Sequence, residues 1–104
     1  MKQRHTYHVY ILLCADGSYY TGMTSDIEKR LEEHYAGAFP TCYTYSRRPV
    51  TLKYTEIYQM VYDAISREKQ IKRWSRRKKE ALIEENYAEL KRLSKSRMND
   101  DGDV

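Results

Sequence analysis

Two strand-like runs flank one turn near the start of the chain, and the length of that turn decides which side chains meet. "YHVYILLC", residues 7–14, is rich in β-branched and aromatic residues, and "YYTGM", residues 19–23, reads as the returning strand. "ADGS" between them is a turn signal, so the pair forms a hairpin. Side chains alternate along a strand, so register fixes the faces. A two-residue Asp16-Gly17 turn pairs residue 13 with residue 20 and sends Tyr10 and Tyr20 to opposite sides. A three-residue loop, Ala15-Asp16-Gly17, pairs residue 12 with residue 20 and puts both tyrosines on one face. Gly17 would then take the left-handed position of a bulge, which glycine adopts at little cost. That shared face is His8, Tyr10, Leu12, Cys14 and Tyr20; the other, Tyr7, Val9, Ile11 and Leu13, is more apolar. The apolar side is expected to be core and the tyrosine side a lined cleft. Two amphipathic tyrosines at a sheet edge are the plainer alternative.

The rest of the chain alternates between legible elements and breakers. Ser25 with Glu28 three residues on forms a capping box for a helix running to about Tyr35. Residues 36–49, with Gly37, Pro40 and Pro49, read as irregular. "VTLKYTEIY", 50–58, reads as a third strand, and a helical pattern follows from about Val61 to Trp74. Ser75 can cap a further helix and Asn86 a last short one. The order ββα-loop-βααα predicts an α+β domain, a small three-stranded and mainly antiparallel sheet flanked by helices.

The chain's 104 residues suit one small domain, expected over 1–93, with a polar, acidic and disordered tail over 94–104. Hydrophobic residues make up 40% and charged residues 33%, so the core is modest. Eleven tyrosines against one Phe and one Trp suit a thin core with wet edges, because tyrosine packs its ring and still hydrogen-bonds. No apolar run approaches the roughly 20 residues that span a membrane. Cys14 and Cys42 lie far apart with no CxxC spacing, so a reducing, cytoplasmic location is the expectation. Charge is uneven. Residues 1–66 balance seven basic against seven acidic side chains, whereas residues 67–97 carry twelve against five. A basic block of this kind suits a polyanion, nucleic acid being the commonest; a solvated helix face is the alternative.

The helix after the hairpin sets Ile27, Arg30, Leu31 and His34 on one stripe, and the later helix sets Glu68 beside Ala64 and Ile65. Three ionisable groups thus fall on faces that should pack. Burying an unpaired charge costs several kcal/mol, so each needs a partner or a wet cleft. From spacing alone a structural Arg30–Glu68 pair with a hydrogen-bonded His34 is the favoured reading, because structural ion pairs are commoner than active sites.

Taken together, these residues resemble the GIY-YIG nuclease family, in particular its small standalone bacterial members. "HVY", 8–10, stands where the first motif would be and "YTG", 20–22, where the second would be; Arg30 follows on the first helix and Glu68 on a later one. The resemblance covers roughly residues 6–90 and departs from the pattern at His8 and Thr21. It implies metal-dependent phosphodiester hydrolysis, endonucleolytic or exonucleolytic, on nucleic acid, with DNA expected over RNA. Tyr10, Tyr20, Arg30 and His34 would be catalytic. Tyr10 is the family's general base, provided that Arg30 and a metal lower its pKa, and His34 either shares the proton work or holds a phosphate. Tyr20 would orient water or a phosphate. Glu68 would hold one divalent cation, Mg²⁺ or Mn²⁺. Arg47, Arg48, Lys72, Arg76, Arg77, Lys78 and Lys79 would contact phosphates outside the chemistry. Asn86 matches a family asparagine, but a helix cap explains it equally, and Thr24 either bonds locally or caps the first helix. The expected protein is a monomer without a membrane partner. A non-catalytic nucleic-acid-binding module of the same fold, or a basic adaptor for an acidic protein, are the competing readings.

Overall fold

A computed structural model of the chain describes residues 5–95. Its elements are β1 (Tyr7–Leu13), β2 (Tyr19–Thr24), α1 (Ile27–Ala36), a 3-10 turn (Tyr45–Arg47), β3 (Thr51–Tyr58), α2 (Val61–Lys72), α3 (Arg76–Ile83) and α4 (Tyr87–Lys95). The fold is α+β. All strand pairs are antiparallel and the order across the sheet is β2-β1-β3. The expected ββα-loop-βααα order holds. The expected tail begins two residues inside α4, and the remainder of it lies outside the described residues. Among the described residues no helix is long and apolar enough to cross a membrane.

The hairpin uses the three-residue loop. Leu12 faces Tyr20, Tyr10 faces Gly22, and Gly17 has φ +87°. Asp16 Oδ1 ties the loop by accepting from the Ser18 N–H at 3.0 Å and the Ser18 hydroxyl at 2.6 Å. The two tyrosines therefore share a face, but that face is no open cleft. Tyr10, Leu12, Cys14 and Val50 form one buried cluster, with Tyr20, Ile27, Leu31 and Leu52 packed against it. β1 is buried on both sides from Val9 to Leu12. The helical spacing of Ile27 and Leu31 explains the difference, because it lays α1 over the tyrosine side. Each such apolar side chain stabilises by about 1.5–3 kcal/mol when fully buried.

Two helix-start expectations shift. Asp26, not Ser25, is the N-cap of α1 and accepts from the Lys29 N–H at 3.1 Å. Thr24 does not cap the helix; its hydroxyl accepts from the Asp26 N–H at 3.1 Å, which braces the cap residue instead. Either Ser25 or Asp26 has the chemistry of a cap, and the Thr24 bond selects the second. α1 ends one residue later than expected, where Gly37 at φ +70° returns its N–H to the last turn. α2 stops at Lys72, two residues short of Trp74.

Packing divides the described residues into two compact units, 5–68 and 69–95. In the first, half-buried residues of β3 alternate with exposed ones, as on an edge strand. Glu56 on its half-buried side accepts from Tyr54 at 2.6 Å, Tyr58 at 2.7 Å, and Arg67 Nε and Nη2, both at 2.9 Å. Four donors fill the capacity of one carboxylate. Burial pushes the Glu56 pKa up, but Arg67 and the two tyrosines outweigh it and hold the group below its ordinary value. Tyr58 is pushed up to about 12 by burial and by its bond to Glu56. In the second unit, Ser75 caps α3, Asn86 caps α4 by accepting from Glu89 N–H at 3.2 Å, and α3 packs on α4.

Arg67→Ala should lower stability by about 2–3 kcal/mol in urea denaturation, because it strips a charged partner from a half-buried carboxylate. The depressed pKa of Glu56 contributes stability above the ordinary value of 4.5 that is lost as pH falls through the folded pKa. Arg67→Ala should flatten that acid limb.

Candidate active site

The hairpin register and α1 bring Tyr10, Tyr20 and His34 into one cluster. The His34 ring lies 5.7 Å from Tyr10 and 5.3 Å from Tyr20, edge-on to both, and the tyrosine rings are 6.3 Å apart. Tyr10 Oη and His34 Nε2 are 2.8 Å apart, and His34 Nδ1 lies 2.9 Å from Thr44 Oγ1. Tyr10 is 0% exposed, His34 4% and Thr44 1%. Both imidazole nitrogens thus have buried partners. Gly22 makes room for this. A Cβ there would overlap the Tyr10 hydroxyl and approach its Cζ to 2.5 Å.

Burial governs the protonation states. It raises the Tyr10 pKa, the neighbouring Tyr20 raises it further, and Arg30 opposes both without reversing them. The expectation that Arg30 helps bring Tyr10 down is met in sign and overruled in sum. Tyr20 is likewise raised, by burial first. His34 is lowered by burial and then by Arg30, with Glu33 opposing. The three groups are therefore neutral near pH 7.

Arg30 does not turn fully inward. Its side chain is 41% exposed and its Nε lies 3.2 Å from Glu33 Oε1, yet its charge is felt at both tyrosines and at His34. The negative charge of Glu68 is also felt at both tyrosines. Among the described residues no three His, Cys, Asp or Glu side chains gather as a metal cage. A lone carboxylate still fits Mg²⁺, which keeps several waters and takes one or two carboxylates with substrate phosphates.

The irregular segment supplies a wall. Tyr43 stacks on Tyr20 at 6.0 Å and 19°. Arg47 Cζ lies 3.8 Å from the centre of the Tyr43 ring, and its guanidinium bonds Asp16 Oδ2 at 3.0 Å and donates to the Tyr43 carbonyl at 2.9 Å. Arg48 covers Tyr45 and fills the space that a Cβ on Gly37 would need. Both arginines thus brace the loop. Lys72, Arg76, Arg77, Lys78 and Lys79 lie in the second unit. There Arg76 pairs with Glu80 at 3.0 Å, Arg77 with Glu89 at 3.5 Å, and Lys78 sits over Trp74.

A model of the GIY-YIG catalytic domain matches residues 6–81. The chain belongs to the GIY-YIG family. The UPF0213 protein of Halobacterium salinarum is 49% identical over 77 residues, 74% of this chain and 99% of that one. The UPF0213 protein of Bacillus pumilus is 43% identical over 83 residues, 80% of this chain and 84% of that one. The solution structure of a UPF0213 protein from Bacillus halodurans is similar at TM-score 0.51 and 40% identity, covering 76% of this chain and 83% of that one. That of a protein from E. faecalis reaches TM-score 0.57 at 34% identity, over 85% and 93%. Membership points to a nuclease-type function.

Within the GIY-YIG domain, four residues beside the cluster escape a sequence reading of sites. Gly22 belongs to the second motif, and only the register shows that it faces Tyr10. Cys42, Tyr43 and Thr44 sit in a segment without periodicity, where no spacing rule assigns a face.

Gly22→Ala should destabilise the domain by about 1–3 kcal/mol through overpacking and break the Tyr10–His34 contact. Denaturation together with the His34 imidazole NMR signals reads both effects. The folded pKa of His34 lies below its ordinary 6.5, so the unfolded chain binds the proton first. Stability should therefore fall as pH drops through 6.5, and His34→Gln should remove that part of the slope.

Proposed function

We propose that this chain is a metal-dependent nuclease that hydrolyses phosphodiester bonds, with DNA as substrate. The observation that carries the reading is the buried 2.8 Å contact of Tyr10 Oη with His34 Nε2. A neutral phenol is too weak a base alone, since its free pKa is about 10 and burial raises it. Paired with a neutral imidazole it becomes a relay. As a water attacks phosphorus, its proton passes to Tyr10 Oη and the Tyr10 proton passes to His34 Nε2. Tyr20, beside the same imidazole, orients the water or a phosphate oxygen. Arg30 at the rim forks onto phosphate oxygens and offsets charge that builds in the transition state. Glu68 would hold Mg²⁺ or Mn²⁺, whose chemistry is to polarise the phosphate and stabilise the leaving oxygen. The basic excess over residues 67–97 suits the phosphate backbone.

The test is cleavage of labelled single-stranded, duplex and branched DNA, with Mg²⁺ or Mn²⁺ and with a chelator. Wild type is run beside Glu68→Ala and Arg30→Ala, all purified identically. Metal-dependent cleavage should appear, and each variant should lose at least about 100-fold in rate. Salt-sensitive binding without any cleavage would replace the enzyme by a binding module. Equal cleavage by wild type and Glu68→Ala would remove the metal assignment.

A further inference from the structure

The relay requires His34 to present a lone pair, not a hydrogen, at Nε2. A neutral imidazole carries one N–H, and the partner of the other nitrogen selects which. That partner is Thr44 Oγ1, 2.9 Å from Nδ1 and shut away from solvent. A threonine hydroxyl has one proton. Cys42 Sγ, 3.4 Å away, is placed to take it. With its proton on the sulfur side, the oxygen can only accept from His34, so Nδ1 carries the hydrogen and Nε2 the lone pair. Cys42 forms no disulfide that would remove it from this role.

The loop does not need the Thr44 hydroxyl for its shape. The Cys42 carbonyl accepts from the Tyr45 N–H at 3.0 Å, and the Thr44 carbonyl accepts from the Arg47 N–H at 3.0 Å. Arg47 adds its clamp on Tyr43 and Asp16. The hydroxyl is therefore shared between the imidazole and the Cys42 sulfur.

We propose that Thr44 is a positioning residue that fixes His34 as the Nδ1–H tautomer and so aims an open Nε2 at Tyr10, with Cys42 as the acceptor that orients the Thr44 hydroxyl. The catalytic consequence rests on the nuclease reading; the tautomer itself does not. The analogy is the second partner of a metal-bound or triad histidine, which sets ring orientation and tautomer without touching substrate.

The first measurement is long-range ¹H–¹⁵N NMR of the histidine rings in the full chain. Wild type, Thr44→Ser, Thr44→Val and Cys42→Ala are compared, and His34→Gln assigns the signals. Wild type and Thr44→Ser should show His34 as Nδ1–H. Thr44→Val should move it toward Nε2–H, and so should Cys42→Ala, by releasing the Thr44 proton toward Nδ1. Unshifted His5 and His8 signals would show that the fold is intact. An Nε2–H wild type, or a Thr44→Val ring unchanged from wild type, overturns the proposal. The second measurement is cleavage kinetics. Thr44→Val should lower kcat by about 10- to 100-fold at unchanged KM, with Thr44→Ser restoring it. A Thr44→Val protein with a switched tautomer and wild-type kcat overturns the positioning role. If wild type cuts no nucleic acid, the nuclease reading fails, and with it the role in turnover, while the NMR result still decides the tautomer.

Discussion

Tyr10 lies across Gly22 because Ala15, Asp16 and Gly17 close a three-residue loop. Every contact at the candidate site follows from that pairing. A register one residue different would turn β2 over, carry Tyr20 to the opposite face, and set a side chain where Tyr10 needs open space. The loop is held accordingly. Asp16 binds Ser18 on one side and Arg47 on the other, and Arg47 in turn holds Tyr43 against Tyr20. One acidic turn residue thus fixes both the hairpin's register and the wall behind the second tyrosine.

Packing α1 over the tyrosine face changes the chemistry available there. In a solvated cleft Arg30 would dominate and draw Tyr10 toward ionisation. Under α1, burial dominates and keeps the tyrosines and the histidine neutral. Proton transfer between neutral partners at hydrogen-bond distance needs no preformed ion in a site that solvates ions poorly. The charged groups stand apart from the buried pair. Arg30 is at the rim, and the charge of Glu68 acts on both tyrosines.

The hairpin, the order of elements and the stripe of α1 were legible because each follows from a short-range rule: turn length, alternation, helical spacing. For a three-residue loop those rules put Tyr10 and Tyr20 on one face, and they put His34 on the inward stripe of α1. The burial of their face was not legible, since alternation says which residues share a side and not what covers it. The cap of α1 slipped by one residue because Ser25 and Asp26 satisfy the same local rule and only the Thr24 bond separates them. Thr44 and Cys42 were missed for a deeper reason. Their segment has no period, and its path is set by Tyr43 stacking and Arg47 bonding to residues up to 31 positions away. Arg47 itself reads as a phosphate ligand from charge, and only the folded loop shows its guanidinium engaged at Asp16 and Tyr43.

Arg67 and Glu68 show how adjacent residues on one helix divide structural and chemical work. Consecutive positions on an α-helix point about 100° apart, so both cannot face the same partner. Arg67 faces Glu56, whose carboxylate is saturated by Arg67 and two tyrosines on the side of β3 that pairs with Val9 and Ile11. That bidentate contact, with Ala64 and Ile71 fully buried, anchors α2. A single monodentate bond would let the helix roll. Two parallel N–H···O bonds to one carboxylate resist rolling, which is a property of the planar guanidinium that a lysine ammonium lacks. The carboxylate proposed to hold a cation therefore follows directly after a residue anchored by an ion pair.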